Sequence, residues 1–331
     1  MPKVIRLHKP IGADGLQIDD IPLEDPPENF VRIKVSACCL NWGDVDYMKD
    51  EYTQVLADLP TRIGTDSVGV VDAVGNNVDS SWIGKRVCSL PYFSSPHGEH
   101  GEFAIIHHNS IVGAYKSFSD IEAASVMTQY TTAYFALIKQ GTIDKDSQIL
   151  ISAATSTAGI AAIKVAKMIG ATTVCTTRHK KNRDFLLEMG ASEVLISEEG
   201  NLPTAIKDAT GGQGVDVVFD PINGEFFNQY IYSLADNAKI ILYGGIDVST
   251  VGLDLAIQLE LTKRNATLSF FSVQNYADQM DEAVKFIVSG FDQGDLIPVV
   301  DKIFAFEDFK AAYAYMASNR SRHGKIVLSI K

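Results

Sequence analysis

The stretch ISAATSTAGIAAIKVAKMIGATTV, residues 151–174, reads as a buried strand, a tight turn, an amphipathic helix and a second strand. That is the layout of a dinucleotide-binding βαβ unit, in which a helix N-terminus faces a pyrophosphate. The turn is nearly free of glycine. Where three glycines are expected it offers Ala154, Thr155, Ser156, Thr157, Ala158 and Gly159. Either the site has altered chemistry or the fold has lost its ligand.

Such a turn must let backbone approach the pyrophosphate, aim helix N–H groups at it, pack the helix close to the sheet, and stay tight. Gly159 can meet the packing demand, helped by Ala158, Ala161 and Ala162. Thr155, Ser156 and Thr157 bring hydroxyls that can cap free N–H groups and donate to phosphate oxygens. They could equally cap a helix that binds nothing. The next strand, TTVCTT, favours a ligand. An NAD site carries Asp or Glu after this strand to bond the ribose 2′-hydroxyl. Here Thr177 ends the strand and RHKKNR follows, placing Arg178, Lys180, Lys181 and Arg183 where a carboxylate would repel a 2′-phosphate. A solvated helix start is the plainer reading, but cations there oppose the helix macrodipole. The expected cofactor is NADPH.

Outward from this unit, strands and helices alternate: NRDFLLEMG, SEVLI, VDVVFDP and KIILYG continue the pattern, and EAASVMTQYTTAYFALIKQG before it reads as helix. The alternation predicts a doubly wound parallel sheet over 123–265. Residues 1–122 are instead broken by Gly, Pro, Asp and Asn at short intervals. VRIKVSACCL, SVGVVDAVG, KRVCSL and GEFAIIHH read as short strands of a barrel-like region. The tail, 266–331, holds DEAVKFIVSG and FEDFKAAYAYMASN as amphipathic helices and KIVLSI as a strand. The sheet domain is therefore inserted into a first domain built from both chain ends. A cleft between domains is the usual meeting place for cofactor and substrate.

The 331 residues are 46% hydrophobic and 21% charged, an ordinary globular composition. A formal charge of −12 disfavours nucleic acid as a partner. No apolar run is long enough for a membrane span, and MPKVIRLHKP lacks the apolar core of a signal peptide, so a cytoplasmic protein is expected. Cys38, Cys39, Cys88 and Cys175 show no C-x-x-C spacing and read as reduced core residues.

Several stretches together resemble the medium-chain dehydrogenase/reductase superfamily, in its zinc-free quinone-oxidoreductase-like branch, over nearly the whole chain. They are IGTDSVGVVDAVG with GKRV after it, TQYTTAYFAL, the strand–turn–helix at 149–170, GASEVL, VDVVFDPING, KIILYGG and HGKIVL. The resemblance implies an α/β fold, a Rossmann-type doubly wound parallel sheet inserted into a GroES-like mainly-β catalytic domain. It also implies a homodimer, a small-molecule substrate, and a glycine-poor turn that is a variant cofactor site.

It further puts Asn41, Thr65 and Thr128 at the positions where zinc-dependent relatives hold a catalytic ion, and none is a good zinc ligand. The four-cysteine structural loop of those relatives is missing. His97, His100, His107 and His108 are close in sequence, but HGEH lies in glycine-broken loop, and no native zinc is expected. Without a Lewis acid, alcohol oxidation has no ready means of stabilising the alkoxide. Reduction of a quinone or an α,β-unsaturated carbonyl by NADPH is the expected reaction.

Candidate donors lie in NWGDVDYMKDEY: Asn41, Asp44, Tyr47 and Tyr52. The resemblance places Asn41 and Asp44 beside the nicotinamide and makes Tyr52 a proton donor or orienter. As a plain pocket wall it would need no acidity, and an ordinary phenol, with pKa about 10, is a weak acid. The resemblance also implies nicotinamide or cofactor contacts for Thr132, Gly244, Gly245, Phe270, Phe271 and Arg320, with Gln129 and Tyr130 facing the same cleft. Two alternatives stay open: an enoyl-thioester reductase, and a non-catalytic NADPH-binding protein in the manner of lens crystallins, some of which bind RNA.

Overall fold

The structure, a computed structural model, describes residues 1–51, 55–91, 97–247, 253–318 and 322–330. The chain opens with strands β1 (Lys3–Leu7), β2 (Leu16–Asp20), β3 (Phe30–Cys39), β4 (Thr61–Arg62), β5 (Ser67–Val74), β6 (Arg86–Ser89), β7 (Phe103–His107) and β8 (Ile111–Gly113). It continues with β9 (Gln148–Ile151), β10 (Thr172–Thr177), β11 (Glu193–Ile196), β12 (Val215–Asp220), β13 (Leu234–Leu242) and β14 (Thr267–Phe270), and closes on β15 (Val300–Ala305) and β16 (Lys325–Ser329). The helices are α1 (Trp42–Tyr47), α2 (Asp120–Ala124), α3 (Met127–Ala133), α4 (Thr157–Ile169), α5 (Arg183–Met189), α6 (Leu202–Ala209), α7 (Gly224–Tyr230), α8 (Leu255–Lys263), α9 (Met280–Gln293) and α10 (Phe309–Ser318).

Two compact units result: Met1–Thr128 with Pro298–Lys331, and Gln129–Ile297. The sequence pattern places the second junction at 265/266, well before 297/298. The reason for the difference is pairing. β14 runs parallel beside β13, Leu242 opposite Phe270, so the segment after 265 still builds the parallel sheet. Tyr130 closes the unit: its hydroxyl donates to the Ile297 carbonyl (2.7 Å) and accepts the Ile297 N–H (3.1 Å).

In the mainly-β unit, β2-β1-β4 form one antiparallel sheet, and a larger sheet runs β15-β16-β3-β5-β6-β8 with β7 also on β3. β3 shows why: Val31, Ile33 and Val35 are buried while Arg32 and Lys34 alternate outward, the two-residue period of a half-buried strand. These side chains join Ile5, Leu7 and Leu328 in one core. The four cysteines are free and buried.

In the other unit, six described strands form a parallel sheet in the order β11-β10-β9-β12-β13-β14. Leu150, Val174, Val218 and Ile240 are fully buried, as expected for strands covered on both faces. Residues 122–141, which read as one helix in the sequence, are not continuous. Ser119 and Glu122 cap α2 reciprocally, and the Ser125 hydroxyl donates to the Glu122 carbonyl (2.7 Å), competing with helix continuation. After α3 the backbone runs as π-helix over Tyr134–Gln140, ending where the Gly141 N–H reaches back to the Ala136 carbonyl (2.7 Å).

Candidate active site

In an open parallel sheet, ligands bind outside the carboxyl ends of the strands where the strand order reverses. Here the chain steps outward from β9 to β10 and β11, then returns to place β12 on the other side of β9. At that point the Ser152 hydroxyl donates to the Asp220 carboxylate. Asp220 is fully buried and also accepts the Tyr230 hydroxyl (3.1 Å) and the N–H groups of Ile222 (2.8 Å) and Asn223 (3.2 Å). Burial pushes its carboxyl above the ordinary range against these donors.

The turn after β9 is tight without glycine. Ala153 takes φ 44°, a left-handed conformation usually left to glycine, and accepts the Ser156 N–H at 2.8 Å. Ser156 is the N-cap of α4, accepting the Gly159 N–H (3.1 Å). The helix itself cannot satisfy the N–H groups of Thr157 and Ala158, which are the donors a pyrophosphate takes. A Cβ on Gly159 would lie 2.8 Å from both Cα and O of Ala154, so glycine is required for the helix to approach the turn this closely.

At the end of β10, the Thr177 hydroxyl accepts from the Asn182 amide (2.9 Å) and weakly from the His179 N–H (3.4 Å). Arg183 is committed to β11, bonding Glu193 (2.9 Å) and the Val194 carbonyl (2.5 Å). Arg178, Lys180 and Lys181 are exposed and form no ion pair with the described residues. Beyond β13, Gly244 lies close enough to Pro221 that a Cβ would meet its carbonyl oxygen at 3.0 Å, while Gly245 faces open space. Phe270 ends β14 at 77% exposure, and Phe271 stacks on Tyr276. Ser156, Thr157, Ala158, Gly159, Thr177, Arg178, Lys181, Gly244, Gly245, Phe270 and Phe271 thus gather at or just past the carboxyl ends of the parallel strands. Thr132 lies within α3 instead, and Tyr130, expected to face a cleft, is buried and held to Ile297. Tyr52 and Arg320 lie outside the described residues.

The mainly-β unit holds the other candidates. Asn41 is the N-cap of α1, and its backbone N–H donates to the Asp44 carboxylate (2.8 Å). Its side-chain amide donates to Asp66 (3.0 Å) and to the Thr65 hydroxyl (3.3 Å). Thr128 donates to the other Asp66 oxygen. Lys325, at 1% exposure, completes the group, its ammonium 2.6 Å from Asp66 and 2.5 Å from the Asn41 amide oxygen. Burial pushes the Asp44 carboxyl up to about 7, opposed by the Asn41 N–H and by the Lys325 charge. Tyr47 is buried and accepts the Ala57 N–H (3.2 Å). Nearby, burial pushes Glu99 up to about 8 although its carboxylate accepts the Ser67 hydroxyl (2.6 Å).

A catalytic zinc does not fit this donor set. Asn41 and Thr128 present an amide and a hydroxyl already bonded to Asp66, the Thr65 hydroxyl accepts from the Asn41 amide, and the Lys325 ammonium bonds Asp66 and the Asn41 amide oxygen. His100 is held between the Cys39 carbonyl (3.1 Å) and the Tyr313 hydroxyl (3.3 Å), and burial lowers it to about 4. Among the described residues no three of His, Cys, Asp and Glu converge on a common point.

Two family models match: the alcohol dehydrogenase GroES-like domain over residues 27–132, and the zinc-binding dehydrogenase family over 158–289. The quinone oxidoreductase of Sus scrofa is 25% identical over 325 residues, covering 98% of this chain and 96% of the relative. A phenolphthiocerol/phthiocerol polyketide synthase of Mycobacterium tuberculosis is 28% identical over 335 residues, 98% of this chain, but the chain spans only 15% of that protein. Among solved structures, the Escherichia coli quinone oxidoreductase complexed with NADPH matches with a TM-score of 0.90 at 25% identity, covering 99% of this chain and 100% of that one. The chain belongs to the medium-chain dehydrogenase/reductase superfamily, in its quinone-oxidoreductase-like branch. It is an oxidoreductase of that superfamily.

Asp220, Asp66 and Lys325 escape a reading of the sequence. Each leaves a trace there: an acid closing the apolar run VDVVFD, an acid immediately before SVGVVDAV, and a cation opening KIVLSI. A charge at the end of an apolar strand is ordinarily solvent-facing, so only the fold reveals that these are buried.

Proposed function

We propose that the protein is an NADPH-dependent, zinc-free reductase that delivers hydride to a quinone or an α,β-unsaturated carbonyl. The observation that carries this reading is the closed cluster of Asn41, Thr65, Asp66 and Thr128 around Lys325, which leaves no donor set for a Lewis acid. Alcohol oxidation then lacks stabilisation for its alkoxide, whereas a conjugated carbonyl takes up hydride and spreads the charge onto oxygen. The exposed Arg178 and Lys181 after an acid-free β10 end support a cofactor with a 2′-phosphate. The close approach that Gly159 allows, and the N–H groups of Thr157 and Ala158 that α4 itself cannot satisfy, suit its pyrophosphate.

When bound, the dihydronicotinamide supplies the hydride. The chain's own residues hold the pyrophosphate at the start of α4, select the phosphorylated ribose at 178–181, and exclude a metal at 41–66. A proton for the reduced carbon comes from Tyr52 or from solvent. The test is oxidation of NADPH and NADH with a quinone, an enone and an enoyl thioester, beside NADP⁺ with simple alcohols. Turnover of a quinone or enone with NADPH is expected. NADPH binding without turnover of any acceptor, or zinc-dependent alcohol oxidation, would overturn the reading.

A further inference from the structure

Lys325 opens β16, its backbone N–H donating to the Val299 carbonyl (2.9 Å). It enters there because Gly324 takes φ 107° and a Cβ on Gly324 would lie 2.3 Å from the same carbonyl. Its side chain runs fully inside the unit, to 2.6 Å from Asp66 and 2.5 Å from Asn41. A buried ion pair is weak evidence for stability, since an apolar pair of similar shape often serves as well or better. What the ammonium does here is geometric. It takes the Asn41 amide oxygen as acceptor, so the amide nitrogen must face Asp66 and Thr65. A flipped amide would set N–H against N–H. Asn41 in turn is the N-cap of α1.

We propose that Lys325 is a positioning residue: a tethered cation standing among Asn41, Thr65, Asp66 and Thr128 in place of a metal ion, which fixes the Asn41 amide and the start of α1 for the reaction. The functional half of this inference rests on the reductase reading; the structural half does not. Lys325 is buried away from solvent. It acts through Asn41, and a misplacement of about 1 Å from a distant change can cost about 10²-fold in turnover.

The test compares K325M, K325R and the double variant K325M/D66N by kcat, KM, NADPH dissociation constant, melting temperature and hydrogen exchange over residues 41–48. K325M strands the Asp66 charge and should lose melting temperature; removing both charges should restore it. Turnover should nevertheless stay about 10²-fold down in K325M/D66N, with NADPH affinity within twofold of the parent and faster exchange over 41–48. K325R keeps a cation on Asn41 and should recover turnover to within tenfold. A double variant with parental turnover would make the pair purely structural and overturn the proposal. So would unchanged exchange over 41–48 in both methionine variants. If the parent protein reduces no acceptor, the reductase reading fails by itself, and the exchange measurement still decides whether Lys325 holds α1.

Discussion

Ser152 and Asp220 meet where β9 and β12 lie side by side: the serine hydroxyl donates to the buried carboxylate, and the Ser152 N–H reaches the Phe219 carbonyl at 3.2 Å. One acid therefore organises both loops at the strand-order reversal, the turn before α4 and the Pro221–Asn223 segment before α7. Its four donors come from the turn after β9, from its own loop and from α7.

Asp220→Ala should leave two hydroxyls and two N–H groups without an acceptor. At about 1–3 kcal/mol for a buried unsatisfied group, with partial relaxation, a loss of about 3 kcal/mol or more is expected in denaturant unfolding. Asp220→Asn should lose less, because it retains an acceptor oxygen. A loss below about 1 kcal/mol for the alanine variant would mean that water replaces the carboxylate.

Gly159→Val should fail at the turn. The new Cβ would sit 2.8 Å from Ala154 backbone atoms, which cannot move aside without displacing the turn. Overpacking of this kind costs about 1–3 kcal/mol, and NADPH binding, measured by nucleotide fluorescence, should fall below detection before the fold is lost.

Arg178→Ala should weaken NADPH binding by about 1.5–3 kcal/mol, the scale of a charge-assisted hydrogen bond, and leave NADH binding unchanged. Because Arg178 is exposed, the loss should shrink as salt rises. Equal losses for both nucleotides in calorimetry would remove the 2′-phosphate from its role.

Glu99 gives the stability a pH dependence of known sign. Burial raises it from the ordinary carboxyl range to about 8, so the folded state holds the proton more tightly than the unfolded chain. Its contribution is fully present below about 4.5 and falls as pH rises toward 8, with a slope of at most about 1.4 kcal/mol per pH unit. Glu99→Gln removes that proton, so the variant should gain on the parent steadily from pH 5 to 8. Parallel curves would show that Glu99 is ionised throughout.

Tyr52→Phe tests the proton-donor role that the family resemblance implies. If the phenol protonates an enolate carbon, turnover on enones should fall by about 10²-fold or more. NADPH affinity should hold, and quinones should suffer less, since their reduced oxygens take protons from water. Full enone turnover in stopped-flow assays would leave proton delivery to solvent.

The parallel sheet was legible because its strands are apolar on both faces: QILI, VDVVFD and KIIL can be satisfied only by burial between helices. The cation run 178–183 was legible as charge, but not in its division of labour. Arg183 is drawn off by Glu193, ten residues along the chain, on the neighbouring strand. The helix expected over 122–141 broke because Ser125 bonds its own preceding turn, a local competition that an apolar period does not register.

The sequence by itself determined the fold class, the order of its parts and the residue types at the cofactor turn, since these follow from local periodicity and from the chemistry of neighbours along the chain. Tertiary structure alone decided which charges are buried and what they hold. Lys325 and Asp66 are 259 residues apart and meet at 2.6 Å. Nothing local marks either as a core residue, because a buried ammonium is tolerable only when a distant carboxylate and amide arrive at the same point, and that convergence is a property of the folded chain.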